Sequence, residues 1–254
     1  MDNLIASVDR SLEILDLLHE REREMGVSEI ARELNLYKST VSRTLATLQH
    51  RGFVKQNEEN GKYWLGLKLY AMGMTVKEKT RYLDQISSAA KEIFNEFQEV
   101  VNVSVLEEDE DGIFKSVIVY KENNPQRVLS VNPTLGSYID AHLSSVGKCL
   151  LAYSDEITDE YIMNLKLVKF TDNTTTDNSK LLEDIRNVRV QGYAVDNQEK
   201  EVGLYCIGVP IFDIRGKVVA AMSISGPMAR MKKNDNEKRM VDRLLKVSQN
   251  IKII

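Results

Sequence analysis

A chain of 254 residues, 43% hydrophobic and 28% charged, has the composition of an ordinary globular protein, enough for one large domain or a small one joined to a larger one. Its apolar runs are short and interrupted by charge, and residues 1–9 lack the basic start and apolar block of a secretory signal. A cytoplasmic protein with no membrane partner is therefore expected. The net charge of −4 excludes coating of nucleic acid by bulk charge, and Cys149 and Cys206, far apart, read as two free thiols that cannot make a zinc finger.

From Val8 onward, Leu12, Leu15 and Leu18 recur at helical spacing opposite Asp9, Arg10, Glu13, Asp16 and Glu20, which predicts an amphipathic first helix. Ser28 is the expected N-cap of a short second helix that turns Ile30, Ala31 and Leu34 inward, with Asn35 suited to the turn after it. A third helix is expected from about Lys38 to His50, buried along Val41, Leu45 and Leu48, with Gly52 as its left-handed C-terminal residue. Phe53 to Gln56 and Lys62 to Leu65 read as two strands around Asn60-Gly61, a dipeptide that favours a type I′ turn. A helix-turn-helix followed by a hairpin is a winged helix.

Gly66 to about Lys79 is expected to be a helical connector, and Tyr82 to Phe97 a long amphipathic helix; both are candidate dimer contacts. The pattern then changes to period two. Val101, Val103 and Val105 alternate with Asn102 and Ser104, and Asp109 to Gly112 turns into a second strand over Ile113 to Tyr120. Further strands are expected at Val128 to Val131, Cys206 to Phe212 and Val218 to Ser225. Helices are expected at Ser144 to Tyr153, at Leu181 to Gln191 closed by Gly192, and from about Asn236, while Asp172 to Ser179 reads as a surface loop with room for a short turn of helix. The fold class is α+β: a winged helix-turn-helix over 1–66, a helical linker over 67–80, and a domain over 81–254 with a mixed sheet flanked by helices.

Between Asn35 and Gln56 the chain carries Lys38, Arg43, Arg51 and Lys55 and no Asp or Glu, although acids are dense on either side. A helix fits the major groove of B-DNA, where Arg can grip guanine and hydroxyls can touch bases or phosphates. Lys38, Ser39, Thr40, Ser42 and Arg43 supply that chemistry, with Lys55 and Lys62 on the wing. In an isolated helix Ser and Thr would merely cap and Arg43 would be solvated; here the preceding helix, the tight turn and the acid-free gap point to one docking geometry.

The motifs Ser7-Val-Asp-Arg-Ser-Leu-Glu-Ile-Leu, Ser28-Glu-Ile-Ala-Arg-Glu-Leu, Lys38-Ser-Thr-Val-Ser-Arg-Thr-Leu and Tyr63-Trp-Leu-Gly resemble the N-terminal domain of the isocitrate lyase regulator (IclR) family. Gly192-Tyr-Ala-Val-Asp-Asn, Cys206-Ile-Gly-Val-Pro-Ile-Phe-Asp and Ala220-Ala-Met-Ser-Ile-Ser-Gly-Pro resemble the same family's ligand-binding domain, so the likeness spans essentially the whole chain. It implies a GAF-like effector domain, a homo-dimer or dimer of dimers, and control of a catabolic or related operon through double-stranded operator DNA.

In the second domain Ser223 and Ser225 share a strand face, Asp196 precedes Gly203-Leu-Tyr-Cys206, and the amides of Ser145, Val146 and Gly147 at a helix start suit a carboxylate. By resemblance to family members that bind small oxo acids, a pocket would be lined by Val131, Ile139, Ser145, Val146, Asp196, Leu204, Cys206, Ser223 and Ser225. Ser145 and Val146 stand where the family more often has smaller residues, and Tyr138-Ile-Asp-Ala-His142 replaces its usual Leu-Pro-Leu-His, so a ligand of different size or polarity is implied.

Other chemistries fit less well. His142, Asp196 and Cys206 are each competent metal ligands, yet a lone His near a helix start is more often a structural hydrogen-bonding residue. Gly147-Lys148 is not a phosphate-binding loop, there is no Gly-x-Ser-x-Gly elbow, and a Cys206 thiolate is disfavoured in an apolar strand. The expected protein is a DNA-binding regulator, a repressor by preference, with no enzyme activity, metal or cofactor, whose operator binding responds to a small keto, hydroxy or sugar acid. The alternative is a winged-helix protein-interaction module with a ligand-free structural C-terminal domain.

Overall fold

The structure, a computed structural model, describes residues 4–80, 82–124 and 134–253. The chain forms two compact units, Met1–Arg81 and Tyr82–Ile254.

The first unit begins with α1 (Ala6–Arg21), α2 (Val27–Glu33) and α3 (Lys38–His50), followed by β1 (Val54–Gln56), β2 (Tyr63–Leu65) and α4 (Leu67–Lys79). Ile14, Leu18, Met25, Ile30, Val41, Leu45 and Val54 make its core, as the helical spacing of the apolar residues requires. Gly26, not Ser28, is the N-cap of α2, and no side chain caps that helix. The α2–α3 turn closes through left-handed Asn35 (φ 52°), with Leu36 N–H donating to Ala31 O at 2.8 Å. α3 closes the same way through Gly52 (φ 78°) and a Phe53 N–H to Leu48 O bond of 2.8 Å.

β1 and β2 pair antiparallel, and Met25 adds an isolated antiparallel bridge by exchanging backbone hydrogen bonds with Tyr63. The expected type I′ turn is not formed: only Gly61 of the Asn60-Gly61 pair has positive φ, and Gly61 N–H donates to Asn57 O at 2.9 Å across a longer loop. The side chains of Asn57 and Asn60 are instead tied to the Glu24 carboxylate at 2.8–3.1 Å. Gly66, which ends the Tyr63-Trp-Leu-Gly motif, passes so close to Gly52 that a Cβ there would lie 2.2 Å from Gly52 O. No residue of α4 is buried, and Leu67, Tyr70 and Val76 are among its exposed apolar side chains.

The second unit contains α5 (Tyr82–Phe97), β3 (Val100–Glu108), β4 (Phe114–Glu122), β5 (Tyr138–Asp140), a 3-10 turn (Ala141–Leu143), α6 (Ser145–Tyr153), α7 (Asp159–Asn164), α8 (Asn178–Gln191), β6 (Ala194–Asn197), β7 (Leu204–Phe212), β8 (Val218–Pro227), α9 (Met228–Met231) and α10 (Asn236–Asn250). Its six described strands run in the order β5-β4-β3-β8-β7-β6. Every pairing among them is antiparallel, where a mixed sheet is expected from the sequence; parallel pairing is confined to the isolated bridge Asp213–Ile253. The strand expected over Val128 to Val131 lies outside the described residues.

Helices cover both faces. Val101, Val103, Ile207, Val209, Met222 and Ile224 pack with Ile86, Ala90 and Ile93 of α5 and Met240 and Leu244 of α10. On the other face Cys149, Leu150 and Leu151 of α6 meet Leu181, Ile185 and Val188 of α8 above Ala194 and Ala221. A sheet buried on both sides explains why the interior strand β7 is buried from Tyr205 to Ile211. The stretch expected as a surface loop is partly interior: Thr174 is buried and donates to the backbone oxygen of Glu199, as Thr171 just before the stretch does to that of Gln198, and Asp177 caps α8.

Candidate functional site

The outward face of α3 carries Lys38, Ser39, Ser42 and Arg43, all exposed, with Thr40 half-buried beside them; Lys55 and Lys62 are exposed on β1 and at the foot of β2. Val41, Leu45 and Leu48 anchor the opposite face in the core and so fix which side chains point out. Elsewhere in this unit basic groups meet acids, as in the pairs Arg21–Glu33 at 2.7 Å and Arg23–Glu29 at 2.5 Å. Among the described residues Lys38, Arg43, Lys55 and Lys62 form no such pair, although Lys62 lies near enough to help hold the Glu24 and Glu29 carboxyls below their usual range, after the hydrogen bonds that dominate there. Cations held in no ion pair stay available to phosphate.

In the second unit, Ile139, Ser145, Val146, Asp196, Leu204, Cys206, Ser223 and Ser225 line one cavity of about 70 Å³, with Asn102, Ser104, Ile118, Leu143, Ser144 and Lys200. Eight of the nine expected pocket residues therefore come together, and the ninth, Val131, lies outside the described residues. The strand register builds this wall. Ser225, Cys206 and Asp196 are neighbours across β8, β7 and β6, and Asn102, Ser223 and Gly208 are neighbours across β3, β8 and β7. Gly208 admits α6: a Cβ there would lie 2.8 Å from the Ser145 carbonyl carbon. Gly147 seats the helix start on the preceding turn, where a Cβ would come within 2.0 Å of Ala141 O.

Ser144 is the N-cap of α6, its hydroxyl accepting from Gly147 N–H at 3.1 Å. Of the three amides expected to face an anion, Gly147 is thus engaged, leaving Ser145 and Val146 at the helix start. Ser223 and Ser225 hydroxyls lie 3.5 Å apart. Asp196 accepts from Glu199 N–H at 2.8 Å, and burial pushes its carboxyl up to about 6. Asn102 and Ser104, which no motif marks, bring to the cavity an Oδ1 and an Oγ that are buried and have no hydrogen-bond partner.

Burial raises the Cys206 thiol well above its ordinary range, and the same is true of Cys149; both are free. His142, buried and depressed chiefly by desolvation, is not among the residues that line the cavity. Among the described residues no three His, Cys, Asp or Glu side chains are grouped to hold a metal, and no helix is long and apolar enough to cross a membrane.

Residues 7–58 match the family described as the IclR helix-turn-helix domain, and residues 76–253 match the bacterial transcriptional regulator IclR C-terminal family. The transcriptional regulator KdgR of Dickeya chrysanthemi is 33% identical over 248 residues, covering 97% of this chain and 79% of that protein. The transcriptional repressor AllR of Salmonella paratyphi A is 33% identical over 226 residues, covering 89% of this chain and 81% of its own. The crystal structure of the Thermotoga maritima IclR superposes with a TM-score of 0.77 at 30% identity, covering 97% of both chains. With the winged unit and the helix-covered sheet matched in the same order along one chain, this protein belongs to the IclR family of bacterial transcriptional regulators.

Proposed function

We propose that the protein is a repressor that binds a double-stranded operator as a homo-dimer or dimer of dimers, and that a small carboxylic acid held in the second unit alters that binding. Residues 1–66 read the DNA, 67–80 link, and 81–254 bind the effector. Lys38, Ser39, Thr40, Ser42 and Arg43 enter the major groove, and Lys55 and Lys62 meet the flanking phosphates.

The observation that carries the effector reading is the buried cavity with polar side chains left unpaired inside it, an arrangement that costs stability unless something fills it. The α6 amides and the nearby Lys200 suit a carboxylate, and the polar wall formed by Asp196, Ser223 and Ser225 suits its substituents. Repression is favoured by the likeness to AllR, which is named a repressor. Self-association is favoured by α4, where Leu67 is 85% exposed and Val76 65%, a degree of apolar exposure that a second copy would relieve. Effector occupancy then changes the spacing of the two α3 helices against the half-sites.

The test is a titration of the purified protein against labelled DNA from its own upstream intergenic region, at stated salt, with and without keto, hydroxy and sugar acids. Saturable binding altered by one acid supports the proposal. No DNA binding under any condition would favour a protein-interaction module instead.

A further inference from the structure

Resting on the reading of the cavity as the effector site, we infer that its ligand is a short 2-hydroxy carboxylic acid rather than the corresponding 2-oxo acid, and that Asn102 and Ser104 determine that choice. The two ends of the cavity ask for opposite chemistry. At the α6 end the unengaged N–H groups of Ser145 and Val146 are donors, with the Lys200 cation also on the lining. Donors and a positive helix end take a carboxylate.

At the β3 end Asn102 is 6% exposed and Ser104 fully buried, and both face the cavity, Asn102 directly opposite Ser223 in the sheet register. Asn102 Oδ1 and Ser104 Oγ have no partner. An amide oxygen can only accept, so whatever satisfies it must donate. A 2-hydroxy acid carries both groups on adjacent carbons: its carboxylate meets the α6 amides, and its hydroxyl donates to Asn102 Oδ1 while accepting from Ser104 Oγ. A 2-oxo acid offers only acceptors and leaves Oδ1 buried and bare. Sites built to hydrogen-bond a hydroxyl discriminate strongly against analogues lacking it, because the buried polar group is then left unpaired. Size sets the rest. A cavity of about 70 Å³ holds roughly five waters, so the acid is confined to about five to seven non-hydrogen atoms, the range from glycolate to 2-hydroxybutyrate.

The experiment is isothermal titration of the full chain with two matched pairs, lactate (each enantiomer) against pyruvate and 2-hydroxybutyrate against 2-oxobutyrate. The same titrations are run on Asn102→Leu, Ser104→Ala and Ile139→Trp, the last filling the cavity from its half-buried edge strand. Binding of the hydroxy acid at least tenfold tighter than its oxo partner in the unaltered protein, with that advantage collapsing in Asn102→Leu and all binding lost in Ile139→Trp, is the expected result. The unaltered protein decides the preference even where a variant folds poorly. Equal or tighter binding of the oxo acids, abolished by Ile139→Trp, overturns the hydroxy-acid assignment and leaves the effector site standing. Binding of none of these acids, or binding indifferent to Ile139→Trp, overturns the site and this inference together.

Discussion

Lys148 Nζ donates to Glu199 Oε1 at 2.6 Å, and the two side chains are only 4% and 8% exposed. Lys148 belongs to α6, whose first turn faces the cavity, and Glu199 to the segment that follows β6 and carries Lys200. The pair, with a further Lys148 bond to Val195 O at 3.3 Å, fastens two walls of the site to each other. Removing one member of a buried pair leaves the other charged and unpaired, at about 3–5 kcal/mol, whereas removing both costs much less. Lys148→Met should therefore lower the unfolding midpoint of the second unit far more than Lys148→Met with Glu199→Leu. Urea denaturation of the three proteins measures this; equal loss in the single and double variants would mean that the pair contributes little.

Asp196 gives a pH dependence with a definite sign. Its carboxyl is raised to about 6, mainly by burial, and the groups around it are Glu199, Lys148 and the Cys206 thiol. In the unfolded chain an Asp titrates near 3.9, so the native state holds the proton more tightly. The associated stability is complete below about pH 4 and is lost as pH rises through about 6. Asp196→Asn imitates the protonated form at every pH. Its stability relative to the unaltered protein should grow between pH 4 and 7 by an amount bounded at about 3 kcal/mol. Parallel stability curves for the two proteins across that range would show that Asp196 ionises freely.

The comparison of Asn102 with Val101 and Val103 shows what the sequence can and cannot reveal. Alternation marks β3 as a strand, but it also suggests that Asn102 and Ser104 face water, because a polar-apolar alternation ordinarily marks a half-exposed strand. They are buried because β3 sits between β4 and β8 in a sheet covered on both faces, a fact of topology that no local pattern contains. Thr174 misleads in the same way, as composition alone reads it as loop surface. The helices of the first unit, by contrast, follow directly from spacing, turn residues and the left-handed positions at Asn35 and Gly52. Ser28 is not the N-cap because the helix starts two residues earlier, after Gly26. Strand alternation and a helix start single out Asp196, Ser145, Val146, Ser223 and Ser225, whereas Ile139 and Leu204 join them only through the family resemblance.

On the DNA side, Arg43 and the wing lysines should behave differently from one another. A bidentate arginine contact to a base is worth about 1–3 kcal/mol, so Arg43→Ala should weaken operator binding by roughly ten- to a hundredfold and relax sequence preference. Lys55→Ala and Lys62→Ala should weaken binding evenly across sequences and each reduce the slope of log K against log salt by about one. Fluorescence anisotropy at several salt concentrations separates the two behaviours. An Arg43→Ala protein that binds the operator as tightly as the parent would remove α3 from the interface.

Gly208 and Gly73 make opposite predictions from the same substitution. A Cβ at Gly208 meets backbone, 2.8 Å from Ser145 C and 2.9 Å from Ser145 O, so Gly208→Ala forces the start of α6 away from the sheet. Overpacking of this kind costs about 1–3 kcal/mol, and here it also displaces the Ser145 and Val146 amides, so effector affinity should fall with the stability of the second unit. Gly73 lies inside α4 with nothing within 4 Å of its would-be Cβ, and exchanging a helical Gly for Ala gains about 1 kcal/mol. Gly73→Ala should thus stabilise the first unit and leave effector affinity alone. If Gly208→Ala kept both its unfolding midpoint and its affinity, the close seating of α6 on β7 would not be what positions those amides, and the carboxylate would have to be held from the Lys200 side instead.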